Sequence, residues 1–160
     1  MTAKPTQDPF TLANLQVTLA NGHIQPLYDL MTQPLTLFYF YPKSSTPGCT
    51  KQSCELRDHY ADLSNRGVQV IGVTKDKPSM IMKFIEKQSL NFPIISDEQL
   101  ELIKTFMVWK EKKFMGRAYM GIERSSFLFD GQKKLIAEYR NVKVPEHFNW
   151  LQKAIDQYHD

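Results

Sequence analysis

The chain has 160 residues, of which 42% are hydrophobic, 12% aromatic and 23% charged, and 20 basic against 17 acidic residues leave a formal charge of +3. These values sit near globular averages and exclude a disordered, collagenous or coiled-coil chain. The small charge, spread along the sequence, gives no field that would argue for nucleic acid or a membrane surface as a partner. Residues 1–160 are expected to form a single domain able to build its own core, with residues 1–7 as a flexible N-terminus. The opening MTAKPTQDPF holds no apolar run of signal-peptide length, and the longest strongly apolar run, Leu35 to Tyr41, is far too short to span a bilayer. A cytoplasmic protein is therefore expected. Only two cysteines occur, and one bridge is a poor framework for a domain with its own core, which favours a redox or catalytic use.

In chain order, LQVTLANGHIQPL places Asn21-Gly22 between two partly alternating runs, the form of an N-terminal β-hairpin closed by a turn that needs positive φ. Leu35 to Tyr41 is apolar at nearly every position, as in a central strand covered on both faces, and Pro42 ends it. Cys49 to Arg66 carries Leu56, Tyr60 and Leu63 at helical spacing with Gly67 as a C-cap, so one amphipathic helix is expected. Val68 to Thr74 reads as a second buried strand, Pro78 onward as a helix bearing Ile81, Phe84 and Ile85, and Phe92 to Ser96 as a short third strand. Asp97 is placed as the N-cap of a short helix running to about Phe106. Trp109 to Gly121 has no clear period and is assigned to a loop near the sheet edge. SSFLFD and KKLIAEYR flank Asp130-Gly131 as a second hairpin, followed by a helix from near Pro145. The alternation predicts an α/β fold, a mixed central sheet with helices on both faces and an N-terminal β-hairpin.

The chemistry concentrates in FYFYPKSSTPGCTKQSC, where a buried strand leads through a loop to a helix that begins beside Cys49. A helix start offers unpaired N–H groups and a partial positive charge, which favour thiolate over thiol, so Cys49 is the expected nucleophile. On a regular helix Cys54 is turned roughly 140° from Cys49, among Arg57, Asp58 and Ala61 and toward solvent. Five residues of helix also rise about 7.5 Å, beyond the roughly 7 Å between Cα atoms that a disulfide can bridge. If the two thiols form a working redox couple, the first turns of this helix must unwind on oxidation. Other readings compete at this point. Both cysteines could be inert core residues. A zinc site would be one ligand short with only His59 nearby. A cysteine protease would need His23, His147 or His159 as base. A dithiol oxidoreductase would suit the strand, loop and helix equally, although its usual spacing has two intervening residues rather than four.

Pro42, Thr46 and Cys49 match the pattern Pro-x-x-x-Thr-x-x-Cys, and YPKSSTPGCTKQSC resembles the Q-type, or bacterioferritin comigratory protein, branch of the peroxiredoxins. VIGVTKDKP, NFPIISDE, VWKEKKFMGRAYMGIERSSFLFD and the closing helix look like the same branch in the same order, over about residues 8 to 157. The resemblance implies a thioredoxin-like fold and a peroxidase acting on hydrogen peroxide and organic hydroperoxides, reduced by thioredoxin or a similar dithiol. By position it makes Cys49 the peroxidatic residue and Cys54 the resolving residue. It also brings Thr46 and Pro42 to the thiol and makes Arg124 the active-site arginine. No metal or organic cofactor is implied. A disulfide closed within one chain requires no second subunit, so a monomer is expected. The Thr46 hydroxyl, the N–H groups of the helix start and the Arg124 guanidinium are suitable donors for the oxygens of a peroxide. Pro42 can shield the thiolate without offering a competing N–H. The chain departs from common members of the branch at Ser44-Ser45, Gln52 and Thr74-Lys75.

Overall fold

The computed structural model describes residues 10–159, so the segment 1–7 expected to be flexible lies outside the described residues. A five-stranded sheet forms the centre. Its strands are β3 (Leu35–Phe40), β4 (Val68–Thr74), β5 (Ile94–Ser96), β8 (Ser125–Phe129) and β9 (Leu135–Arg140), and they lie in the order β5-β4-β3-β8-β9. β3, β4 and β5 run parallel, while β8 is antiparallel to both β3 and β9. Every residue of β3 and β4 is buried, as expected of strands covered on both faces.

Side-chain alternation along β3 separates two cores. Leu35, Leu37, Tyr39 and Tyr41 pack with Cys49, Leu56, Leu63, Phe84, Leu151 and Ile155 on one face, and Phe38 and Phe40 pack with Phe106, Phe127 and Phe129 on the other. The first face is covered by α1 (Pro47–Asp58), α2 (Tyr60–Asn65), α3 (Pro78–Gln88) and α5 (Val144–His159). The second is covered by the N-terminal hairpin, β1 (Gln16–Thr18) and β2 (Ile24–Pro26), by a 3-10 turn at Leu27–Leu30, and by α4 (Glu101–Thr105).

Several local expectations change. The helix expected over Cys49 to Arg66 is broken at His59, which leaves helical geometry at φ −103° and ψ 6° while its ring stacks on Phe148 of α5 at 4.0 Å. The stretch expected to be a loop is a β-hairpin, β6 (Trp109–Phe114) and β7 (Arg117–Ile122), turned by Met115 and Gly116, both at positive φ. Its period was hard to read because most of its side chains are exposed and only Ile122 and Gly121 are buried. Asp97 is not the N-cap of α4: Leu100 holds that position at φ 63°, and the Asp97 carboxylate reaches forward to accept the Ile103 N–H at 2.8 Å. Burial pushes the Asp97 carboxyl above its ordinary range, opposed by the N–H groups of Ile103, Leu102 and Glu101. At Asp130-Gly131 the turn is longer than two residues. Asp130 Oδ1 accepts the N–H groups of Gln132 and Lys134, and Lys133 rather than the glycine takes positive φ.

Candidate active site

β3 ends at the edge of the helix-covered face, and the loop 41–46 turns the chain into α1. Two polar contacts fix that loop: the Tyr41 hydroxyl pairs with Ser44 Oγ at 3.0 Å, and the Ser44 N–H donates to Asp76 Oδ2 at 2.6 Å. Ser45 absorbs the turn at φ 69°, and Pro42 is half-buried at the loop's start. Thr46 is the N-cap of α1, Pro47 follows as a residue already suited to a first helical turn, and Cys49 is third in the helix. Cys49 is 1% exposed. It therefore lies within the turn whose N–H groups have no partner in the helix and whose dipole end is positive.

Arg124 reaches this turn from the two-residue link between β7 and β8, and Nη2 donates to Cys49 Sγ at 3.3 Å while Nη1 donates to Gln52 Oε1 at 2.6 Å. One planar guanidinium so spans residues three apart on the helix, a span that suits a rigid fork rather than an ammonium. Gly48 eases the approach, since a Cβ there would stand a tight 3.2 Å from Arg124 Nη2 and press on the guanidinium. The link carrying Arg124 is itself tied down, with the Glu123 N–H bonded to the Val108 carbonyl and the Val142 N–H to the Arg124 carbonyl. Guanidinium and helix start together place positive potential at the Cys49 sulfur.

The remaining expected residues are distributed unevenly. Thr46 lies one turn from Cys49, and its hydroxyl donates to the Lys43 carbonyl at 2.8 Å, which leaves the oxygen's acceptor capacity on offer to the site. Cys54 does not join the Cys49 group. It is half-buried rather than turned to solvent, and its Sγ donates to Gln88 Oε1 at the end of α3, 3.4 Å away. Both thiols are free, and α1 is continuous across them. Gln52 and Lys112 were not singled out as site residues. Gln52 is fully buried with its Nε2 unpartnered among the described residues, and its spacing of three from Cys49 was the available signal. Lys112, half-buried on β6, has its stem against Gly121, and burial followed by the charge of Arg124 pushes its ammonium below its ordinary range. Among the described residues, no cluster of three or more His, Cys, Asp or Glu side chains is arranged to hold a metal ion. No helix among the described residues is long and apolar enough to cross a membrane.

Comparison with known proteins identifies the family. The profile of the AhpC/TSA family matches residues 8–138. The peroxiredoxin Bcp of Escherichia coli strain K12 is 46% identical over 121 residues, 73% of this chain and 78% of that protein. The peroxiredoxin Bcp of Bacillus subtilis strain 168 is 45% identical over 134 residues, 84% of this chain and 85% of that one. Among solved structures, Xanthomonas campestris peroxiredoxin Q superposes with a TM-score of 0.83 at 32% identity, covering 91% and 92% of the two chains. The bacterioferritin comigratory protein of the same organism, studied for alkyl peroxide reduction in trapped-intermediate and ligand complexes, gives 0.83 at 31% identity over 91% and 92%. A cysteine-to-serine mutant of Xylella fastidiosa PrxQ gives a TM-score of 0.88 at 29% identity over 99% and 100%. A mixed sheet with a buried thiol at a helix start, a sequence close to half identical to curated Bcp proteins, and a shared backbone over nine-tenths of the chain lead to one assignment: this chain belongs to the AhpC/TSA family and is a peroxiredoxin of the Bcp, or Q, type, a thiol peroxidase on a thioredoxin-like fold.

Proposed function

We propose that the protein reduces hydrogen peroxide and organic hydroperoxides with Cys49 as the peroxidatic thiol and Cys54 as its resolving partner, and that thioredoxin or a similar dithiol regenerates it. The observation that carries the reading is the 3.3 Å contact from the Arg124 guanidinium to the buried Cys49 sulfur at the first turn of α1. In the first step the Cys49 thiolate attacks the terminal oxygen of ROOH. The O–O bond breaks, Cys49 becomes a sulfenic acid, and the departing RO⁻ takes up a proton to leave as ROH. Charge moves from sulfur to the leaving oxygen, and donors held in place before the reaction stabilise it at both ends. Arg124 supplies the principal donors, and the N–H groups of the helix start supply others. The Thr46 hydroxyl, whose own proton is engaged by Lys43, accepts from the hydroperoxide O–H. Pro42 limits water at the thiol.

In the second step the Cys54 thiol attacks the sulfenic sulfur, releasing water and closing the Cys49–Cys54 disulfide. An intact α1 holds the two residues about 7.5 Å apart along its axis, so this step requires the helix to open. A dithiol reductant then returns both cysteines to thiols and becomes a disulfide itself. The cycle needs no metal or organic cofactor and closes within one chain, which supports a monomer; a reduced cytoplasm is the setting we infer for it.

The test is peroxide consumption coupled to dithiol oxidation. Wild type should turn over, Cys49→Ser should be inactive, and Cys54→Ser should form the sulfenic acid once and then stall or over-oxidise. Turnover by Cys49→Ser at the wild-type rate would end the assignment, and dithiol oxidation without peroxide consumption would identify a disulfide oxidoreductase instead.

A further inference from the structure

The second half of α1 is fastened to a single residue of the neighbouring helix. Gln88 is the last residue of α3, where backbone carbonyls lack a partner within the helix. Arg57 Nη1 donates to the Gln88 main-chain carbonyl at 2.6 Å, a charge-assisted bond, and Cys54 Sγ donates to the Gln88 side-chain carbonyl at 3.4 Å. The anchor is firm. Ser89 closes α3 in the left-handed conformation at φ 53°, its N–H bonded to the Ile85 carbonyl, and Leu90 and Phe92 just beyond are buried in the core. Cys54 and Arg57 are three apart, neighbours on one side of α1, so both contacts act on the same turn.

We propose that Gln88 is a positioning residue for the resolving step: with Arg57 it latches the Cys54 turn of α1 to the end of α3, and the latch must open before Cys54 can reach Cys49. The proposal rests on the reading of Cys54 as the resolving thiol. Its consequence is kinetic. The latch contributes to the folded reduced state and is absent from the disulfide state, so it raises the barrier to opening. It thereby lengthens the time for which the sulfenic acid at Cys49 is exposed to a second peroxide, the route to sulfinic acid. Gln88 bonds to Cys54 and Arg57, whereas Arg124 bonds to Cys49 and Gln52, so the first oxidation should be independent of Gln88.

The experiment measures two rates after a peroxide pulse: sulfenic acid formation at Cys49, and closure of the disulfide. Gln88→Leu removes the side-chain acceptor and keeps the main-chain one, while Arg57→Met keeps the apolar stem and removes the guanidinium. Arg57→Met, which removes a charge-assisted bond, should speed closure on the order of tenfold, and Gln88→Leu, which removes the bond of a weak thiol donor, about twofold. Each should also lower the fraction of sulfinic acid formed at excess peroxide, with the first rate unchanged. Gln88→Glu offers the thiol a charged acceptor and should slow closure, a reversal that general loosening of the fold does not produce. The proposal is overturned if closure is unchanged in Gln88→Leu and Arg57→Met, or if Gln88→Glu speeds it, while the wild type still forms the Cys49–Cys54 disulfide. If mass spectrometry of oxidised wild type finds no such disulfide, the resolving assignment itself is what fails.

Discussion

The two faces of the central sheet are fed by the same strand and do different work. On the helix-covered face the apolar packing is interrupted by hydroxyl pairs: Tyr39 with Ser53 of α1 at 2.8 Å, Tyr41 with Ser44, and Ser126 with His147 Nε2 at 2.7 Å. The first and third join the sheet to helices packed around Cys49, and the second closes the loop that leads from β3 into α1. The opposite face is built on aromatic side chains, with Phe106 within 4.8–5.9 Å of Phe38, Phe40, Phe127 and Phe129. Directional bonds set position and aromatic packing supplies bulk stability, so alternation along β3 lets one strand serve as both gauge and ballast.

That division is open to direct attack. Phe106→Ala removes the centre of the aromatic cluster and should cost about 3–5 kcal/mol of stability by urea unfolding. The rate with peroxide should hold at temperatures where the variant stays folded, and a large loss of rate there would show the faces to be coupled. Arg124→Lys should do the opposite. It keeps the charge but loses the fork that spans Cys49 and Gln52, and the second-order rate constant should fall on the order of 100-fold with little change in unfolding midpoint.

The next effect depends on pH. His147 is fully buried, and burial first, then the charge of Arg124, pushes its imidazole down to about 3. An unfolded imidazole titrates near 6.5. Between those values the unfolded chain therefore takes up a proton that the folded chain refuses, so stability is lost as pH falls from about 6.5 toward 3, by up to ~1.4 kcal/mol per unit. His147→Gln keeps a polar partner for Ser126 and should flatten this acid limb, measured as urea midpoints from about pH 7 to 4. An unchanged slope would mean that other groups carry it. The smallest effect belongs to Tyr39→Phe, which strands Ser53 Oγ and should cost about 1–2 kcal/mol while leaving the peroxide rate within a factor of ten.

Legibility in the sequence followed the same division. β3 and β4 could be read because strands buried on both faces are apolar at almost every position, and the start of α1 because Thr46, Pro47 and Cys49 are fixed by helix-terminus chemistry. The β6–β7 hairpin was missed because its exposed positions carry Phe114, Met115, Tyr119 and Met120 beside lysines, which blurs the period of two. The break at His59 was missed because Leu56, Tyr60 and Leu63 keep helical spacing across it. Arg124 was found through resemblance alone; nothing local marks an arginine that acts on a helix formed 75 positions earlier. Gln88 was likewise invisible and Gln52 offered only its spacing of three from Cys49, since a glutamine reads as surface until the partner that buries it is known.

That separation of 75 residues between Cys49 and Arg124 also orders events on the ribosome. α1 is synthesised early, but β8 and the link bearing Arg124 come late, and β8 must insert beside β3 to deliver the guanidinium. Until then a nascent chain presents Cys49 without its cation. On the mechanism proposed above, the thiol gains its reactivity toward peroxide only as the last strands dock, so the order of synthesis itself delays the chemistry until the fold is complete.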